Sequence, residues 1–310
     1  MKAHIQIVGW NHHQYIGTCL LSCLKQTTLV PVVYIDNDSN DGSVDYVREK
    51  YPSVTIVENK SNRGYAGGHN DGLKKINDSE VVILLNPDVI LEENFVEEIL
   101  KVFEGKKSEK IGAVVPLLLR TKTKDNSGKA RTIVDSYGTK ILPSMRAVNC
   151  FEGESIELVE INKKEIGNLW GFTGAAVALS RKAIVDLSIN GEFFDEKLHS
   201  YREDVDASWR LRNRNWKIVG NSNARAWHVR AAKKGERKNG HVLRLSWRNY
   251  FFVIMKNASR KDIRKNILPF FMEVLMRIAQ FIITPALWLG FGEFVRLFPV
   301  FLKKRRELYY

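Results

Sequence analysis

The chain has 310 residues, 44% of them hydrophobic, enough for a real core in one large domain or two modest ones. Its net charge of +13 is confined to one end: 18 Lys and Arg against 5 Asp and Glu follow His228, while residues 1–228 carry 30 of each. Cys19, Cys23 and Cys150 form no C-x-x-C pair, which excludes a zinc ribbon or a disulfide framework and fits a reducing, cytoplasmic setting.

Met1 leads almost directly into the short apolar run 4–8, so no signal peptide is expected. Strands are predicted at 4–8, 31–35, 54–57, 81–85 and 111–119, alternating with helices at 15–25, 43–50, 68–76 and 92–103. Strand and helix in alternation predict a doubly wound α/β fold with a parallel sheet. Residues 120–168 are polar and irregular and read as an inserted loop or hairpin. A helix at 181–187, a polar helix at 204–213 and short strands at 216–219 and 224–229 follow. The stretch 267–302 is apolar but carries Glu273, Arg277, Glu293 and Arg296. Its longest uncharged window, 278–292, is broken by Pro285. A spanning helix needs about 20 apolar residues, so an interfacial helix or hairpin is expected instead. Basic residues at 260–265 and 303–306 flank it and favour an anionic membrane surface. A helical pair packed on the body, or in a homodimer interface, is the alternative. Apolar interleaving in this stretch suits lipid better than a nucleic acid groove.

The strand at 81–85 stops at Asn86-Pro87, because proline fixes φ and removes a ladder donor. Asp88 is thereby delivered to the carboxyl edge of the sheet, where open α/β sheets bind ligands. A carboxylate there either caps a helix from residue 91 onward or binds a hard cation and its phosphates. Asp36 and Asn37 end the second strand on the same edge, where either side chain can read a pyrimidine edge. Asp41 or Ser43 is placed to cap the next helix. The glycine-rich run 64–68 opens a helix and predicts an anion pocket of free N–H groups. Glu203 and Asp204 begin a helix, where they either complement its dipole or supply a general base. His228 ends a strand and reads as a structural histidine or a metal ligand.

Several motifs stand in order: Asn11; Asp36-Asn37-x-Ser-x-Asp-Gly-Ser; Asn62-x-Gly-Tyr-Ala-Gly-Gly-x-Asn70; Leu85-Asn86-Pro87-Asp88; Gly171-Phe-x-Gly174-Ala; Phe194-Asp195-Glu196; and Glu203-Asp204-x-Asp206-x-x-x-Arg210-Leu211. Over about residues 4–256 the chain resembles the family-2 glycosyltransferases of GT-A fold, close to the bacterial rhamnosyltransferase-like branch. The resemblance implies a mixed, mostly parallel sheet flanked by helices. It places a nucleotide-sugar half at 1–115 and an acceptor and catalytic half at 116–256, ahead of basic amphipathic helices at 257–310. The implied reaction moves a sugar, rhamnose or another hexose, from a dTDP- or UDP-sugar to a glycan or lipid-linked acceptor with inversion. Asp36 and Asn37 would hold the base, and Asn11, Arg63, Gly64, Asn70, Asn86 and Lys233 would complete the donor set. Asp88, with His228, would bind Mg2+ or Mn2+. Asp204 would be the base, oriented by Glu203 or Asp206. Asn86 and Pro87 stand where the family's D-x-D motif carries earlier acids, leaving one carboxylate for the metal. Such an enzyme would sit at the inner face of the cell membrane. Two other classes remain, a nucleotidyltransferase and a non-enzymatic basic binding protein. Gly9-Trp10-Asn11-His12-His13 lacks the basic, glycine-rich loop the former usually carries.

Overall fold

The computed structural model describes residues 1–105, 109–124, 130–161, 168–229 and 240–309. Val81–Leu85 (β4) is buried along its whole length, as a five-residue apolar run requires. Its side chains divide by alternation. Val81, Ile83 and Leu85 join one core with helices His13–Leu24 (α1), Ser43–Lys50 (α2) and Phe95–Gly105 (α4). Val82 and Leu84 join a second core on the other face with Gly64–Lys75 (α3), Arg181–Leu187 (α6) and Glu203–Asn213 (α7). The period of two along each strand thus builds a three-layer α/β domain.

Thr55–Glu58 (β3), Val32–Asp36 (β2), Ala3–Gly9 (β1) and β4 lie side by side and parallel. Beyond β4 the sheet becomes mixed. Ala176–Ser180 (β10) runs antiparallel between β4 and Ile111–Lys124 (β6), and Lys217–His228 (β11) runs parallel to β6 on its far side. A fully parallel sheet is therefore not formed, because β10 enters only after the long excursion past residue 124. The boundary expected at residue 115 falls inside β6. Within 120–168, Ala130–Ser136 (β7) pairs back on β6, and Thr139–Ile141 (β8) with Ala147–Asn149 (β9) makes a second hairpin. A short helix, Ile156–Ile161 (α5), follows.

Three boundaries differ from expectation for local reasons. Val89–Leu91 (β5) is a strand and not the start of a helix, so Asp88 does not cap a helix from residue 91. It pairs with β11 and sets Val89 opposite His228. The strands expected at 216–219 and 224–229 are one strand carrying an irregularity between Asn221 and Arg225. The cap of α2 is Gly42, in the left-handed region, while Asp41 accepts from the backbone N–H groups of His13 and Ser43.

Gly240–Asn257 (α8), Arg260–Lys265 (α9), Ile267–Ile283 (α10) and Ala286–Tyr309 (α11) form a third helical layer over α7. The break at Thr284-Pro285 splits the apolar stretch into α10 and α11. No helix among the described residues is long and apolar enough to cross a membrane. The polarity of α10 is inverted. Its buried residues are Glu273 and Arg277, ion-paired at 2.8 Å, while Leu268 and Ile283 are 68% and 78% exposed.

Candidate active site

A cleft of about 580 Å³ opens at the carboxyl ends of β1, β2 and β4. One wall is formed by Gly9, Trp10 and His12 after β1, Asn37 after β2, Asn62, Gly64 and Tyr65 around the start of α3, and Asn86-Pro87-Asp88 after β4. The other is formed by Asp135, Asn149, Thr173-Gly174-Ala175, the segment from Ser200 to Asp204, and His228. This is the edge at which open α/β sheets bind their ligands. Asn37, Gly64, Asn86, Asp88, Glu203, Asp204 and His228 thus come together as expected.

Pairing of β5 with β11 brings His228 beside Asp88, with Nε2 3.5 Å from Oδ1. The opposite ring nitrogen, Nδ1, lies 2.9 Å from Asp135 Oδ2. Burial disfavours charge on this imidazole, but the bonds to Asp135 and Asp88 outweigh it and raise the group to about 9. A carboxylate on one ring nitrogen with the other turned to a cleft is the arrangement that orients metal-ligating histidines. Asp135 was not foreseen. It sits on β7, in the irregular region, and only strand pairing across the sheet carries it to His228.

The second carboxylate site is built by α7. Asp204 Oδ2 accepts from Gly174 N–H at 3.0 Å and Oδ1 from Val205 N–H at 2.8 Å. Burial outweighs these bonds and raises Asp204 above the ordinary carboxylate range. Burial, and then the charge of Asp204, push Glu203 well above it as well, and the buried Glu203 Oε2 has no hydrogen-bond partner among the described residues. The chain reaches α7 through a strained turn. His199, Tyr201 and Arg202 have φ of 65°, 70° and 73°. Each such residue costs on the order of 1–3 kcal/mol and persists only where its surroundings over-determine it. Here Asn249 Nδ2 on α8 donates to the carbonyls of Leu198, Ser200 and Tyr201 at 2.8–3.0 Å.

Other predicted residues frame the cleft without lining it. Asp36 accepts from Tyr34 Oη and from Ser39 N–H and Oγ. Asn11, at φ 57°, accepts from Asn40 N–H. Arg63 bridges Asp71 and Glu196 at 2.9 and 2.6 Å, and Asn70 exchanges two bonds with the Phe194 backbone. Asp206 is held by Arg210, Lys256 and Asn257 in the interior, so it does not orient Asp204. Lys233 lies outside the described residues. The anion pocket expected at 64–68 is not formed. These residues are the first turn of α3, and its N–H groups are taken by Asn62 Oδ1, Ser200 Oγ and the His199 carbonyl. Gly64 instead allows close approach: at φ +66°, an added Cβ would stand 2.4 Å from the His199 carbonyl oxygen.

Residues 5–185 match the sequence profile of glycosyl transferase family 2. The chain is 24% identical over 250 residues to the N-acetylglucosaminyl-diphospho-decaprenol L-rhamnosyltransferase of Mycobacterium tuberculosis (strains CDC 1551 / Oshkosh and ATCC 25618 / H37Rv), covering 74% of this chain and 76% of that protein. Among solved structures it superposes on GalNAc-T7 with UDP, GalNAc and Mn2+ at a TM-score of 0.57 and 16% identity, covering 91% of this chain but only 57% of that one. The mannosyltransferase PcManGT from Pyrobaculum calidifontis, with GDP-Man and Mn2+, gives 0.57 at 14% identity, with 99% and 84% covered. S. aureus TarS 1-349 gives 0.57 at 14%, with 96% and 80% covered. These likenesses establish the fold, and the profile match sets aside a nucleotidyltransferase and a non-enzymatic binding protein. The chain belongs to glycosyl transferase family 2, with a GT-A fold and a rhamnosyltransferase-like sequence.

Proposed function

We propose that this chain transfers rhamnose or another hexose, with inversion, from a dTDP- or UDP-sugar to a hydroxyl of a lipid-linked glycan. The observation that carries the reading is the cleft, where the half-buried, raised carboxyl of Asp204 faces the same space as Asp88 and His228. The acceptor hydroxyl gives its proton to Asp204 while its oxygen forms the new bond to the anomeric carbon. The bond from that carbon to the diphosphate breaks, and its electron pair leaves with the nucleoside diphosphate. Asn37, Asn86 and Gly64 line the donor side, with Trp10 half-exposed at the rim. Residues 1–115 then serve the donor and 116–256 the acceptor. The mycobacterial relative acts on a diphospho-decaprenol acceptor, which supports both the sugar and the acceptor class.

The donor set fits a divalent cation held jointly with the substrate. Among the described residues no three His, Cys, Asp or Glu form a ready metal cage. Asp88 and His228 Nε2 would therefore hold Mg2+ or Mn2+ together with the donor diphosphate. When bound, the cation neutralises charge on the departing diphosphate. GalNAc-T7 and PcManGT were solved with Mn2+, which supports this.

The chain works peripherally at the inner membrane face. The inverted α10 supports this, since exposed apolar side chains flanked by Arg260, Lys261 and Lys303 suit an anionic bilayer. Lys304 and Arg305 do not serve there, being bonded to Asp195 and to the Met255 and Ala258 carbonyls.

The test is calorimetry of nucleoside diphosphate binding with and without Mn2+. Asp88→Ala removes the metal-dependent part, and equal affinity in the variant rules out the metal role. In turnover assays the product is a nucleoside diphosphate; release of inorganic pyrophosphate sinks the transferase reading. Flotation with anionic vesicles, against sedimentation of a dimer in their absence, decides what covers α10.

A further inference from the structure

A continuous line of contacts leaves the cleft on its acceptor side. Arg202 lines the cleft, and its guanidinium lies 5.5 Å from the ring centre of Tyr250 on α8. Arg277 of α10 lies over the same ring at 3.7 Å. Arg146, in the β8–β9 turn, approaches Glu273, the ion-pair partner of Arg277, at 3.8 Å. The Tyr250 hydroxyl fixes that turn by donating to the Ser144 carbonyl at 2.7 Å. Arg202 and Arg277 thus converge on one tyrosine, and Arg146 joins them through Glu273, the carboxylate it shares with Arg277.

The cluster is electrostatically incomplete. Burial, and then the neighbouring Arg277, hold the Arg202 guanidinium down to about 10, so it is still cationic at neutral pH. Among the described residues the buried Nε of Arg277 has no hydrogen-bond partner, and Arg146 is 49% exposed. Planar guanidinium forks of this kind match the oxygens of a phosphate.

The line continues into hydrocarbon. Trp247 Nε1 on α8 donates to the Arg277 carbonyl at 3.1 Å. The same indole lines a cavity of about 430 Å³ whose other walls are Phe251, Val274, Ile278, Phe281, Phe291 and Phe294. Every lining side chain is apolar or aromatic. Ile278 and Phe291 are also exposed, so the cavity adjoins the bare face of α10 and α11. Volumes of this order hold small ligands.

We propose that this track binds the lipid diphosphate of the acceptor, with its diphosphate on Arg146, Arg202 and Arg277 and the first isoprenoid units of its chain in the apolar cavity. The sugar to be extended then projects past Arg202 toward Asp204. The inference rests on the transferase reading above and adds to it a site for the non-reacting part of the substrate.

The test uses the full chain and a C15 isoprenyl diphosphate, with binding followed by calorimetry and by tryptophan fluorescence. The wild type binds it saturably and at least tenfold more tightly than inorganic diphosphate or the C15 alcohol. Arg146→Gln and Arg277→Gln each weaken it about tenfold or more. Val274→Phe, which fills the cavity, reduces affinity for the C15 compound to that for inorganic diphosphate. Nucleotide-sugar binding stays at the wild-type level in Arg146→Gln and Val274→Phe, showing that these variants are folded. Equal affinity for the C15 and inorganic diphosphates overturns the proposal, as does undiminished binding by Arg146→Gln. Displacement by short-chain phosphatidylglycerol at equal concentration also overturns it, because the site would then be a general anionic-lipid surface. Loss of donor binding throughout, with C15 binding intact, would instead count against the transferase reading alone.

Discussion

Two groups of carboxylates lie within a few residues of each other and meet opposite fates. Asp195 and Asp206 are saturated with cations. Lys256 Nζ reaches both, at 2.8 and 2.9 Å, while Lys304 adds a contact to Asp195 and Arg210 one to Asp206. Burial alone would raise both groups, but Lys256 and its companions hold each of them below the ordinary range. Glu203 and the half-buried Asp204 pair with no lysine among the described residues, and both are raised. The first group is a clamp that is never meant to change charge. The second is a place where a proton has room to arrive, the usual mark of a catalytic carboxyl.

Exchanging these roles has the largest expected effects. Asp204→Asn should lower turnover by roughly 10²–10⁴ while leaving donor affinity intact, the range for removal of a general base. In the wild type, transfer should fall on the acid side at a pH above the ordinary carboxylate range, because Asp204 acts ionised. Lys256→Met should cost stability and not chemistry. Stripping a buried pair of its cation costs about 3–5 kcal/mol, read from denaturant midpoints, with turnover per folded molecule preserved. If that variant instead loses turnover without losing stability, the clamp belongs to the catalytic machinery after all.

Smaller effects sharpen the boundary between the two groups. Asn249→Ala removes the ties on the strained turn before α7 and should lower kcat by roughly ten- to a hundredfold through misplacement of Asp204. Fluorescence and calorimetry of donor binding should change little. Glu203→Gln should act mainly on the pH dependence of stability. A raised carboxyl favours the folded state below its ordinary value of 4.5, and that advantage is lost as pH rises through the folded value. Thermal midpoints of the variant should therefore decline less between pH 5 and 8 than those of the wild type.

Much of this was legible in the chain. Apolar runs marked the central strands, and Asn86-Pro87 announced where β4 must stop. Asp88 and Asp204 were identifiable because short polar side chains at strand ends and helix starts have few other uses. What was hidden depended on distance in sequence. Nothing local marks Asp135 as the partner of His228, since a hairpin inside a polar stretch brings it there. Helix α8 escaped notice because Arg244, Arg248 and Lys256 interrupt its apolar pattern, yet Arg248 and Lys256 are buried against partners supplied by other elements. The glycine-rich run misled for the opposite reason. Its motif was plain, but its N–H groups were already taken by a segment about 135 residues away.

The clamp also has a consequence for biosynthesis. Asp195 is answered by Lys256, 61 residues later, and by Lys304, 109 residues later. Domains generally fold from the amino-terminal side as they emerge from the ribosome. The nascent sheet can assemble early, but until α8 and α11 have been made Asp195 lacks both of its lysines and Asp206 has only Arg210. The ground beneath α7 is therefore completed only by α8 and α11, and α11 also carries part of the bare apolar face, so neither feature is finished in the growing chain without the last helix.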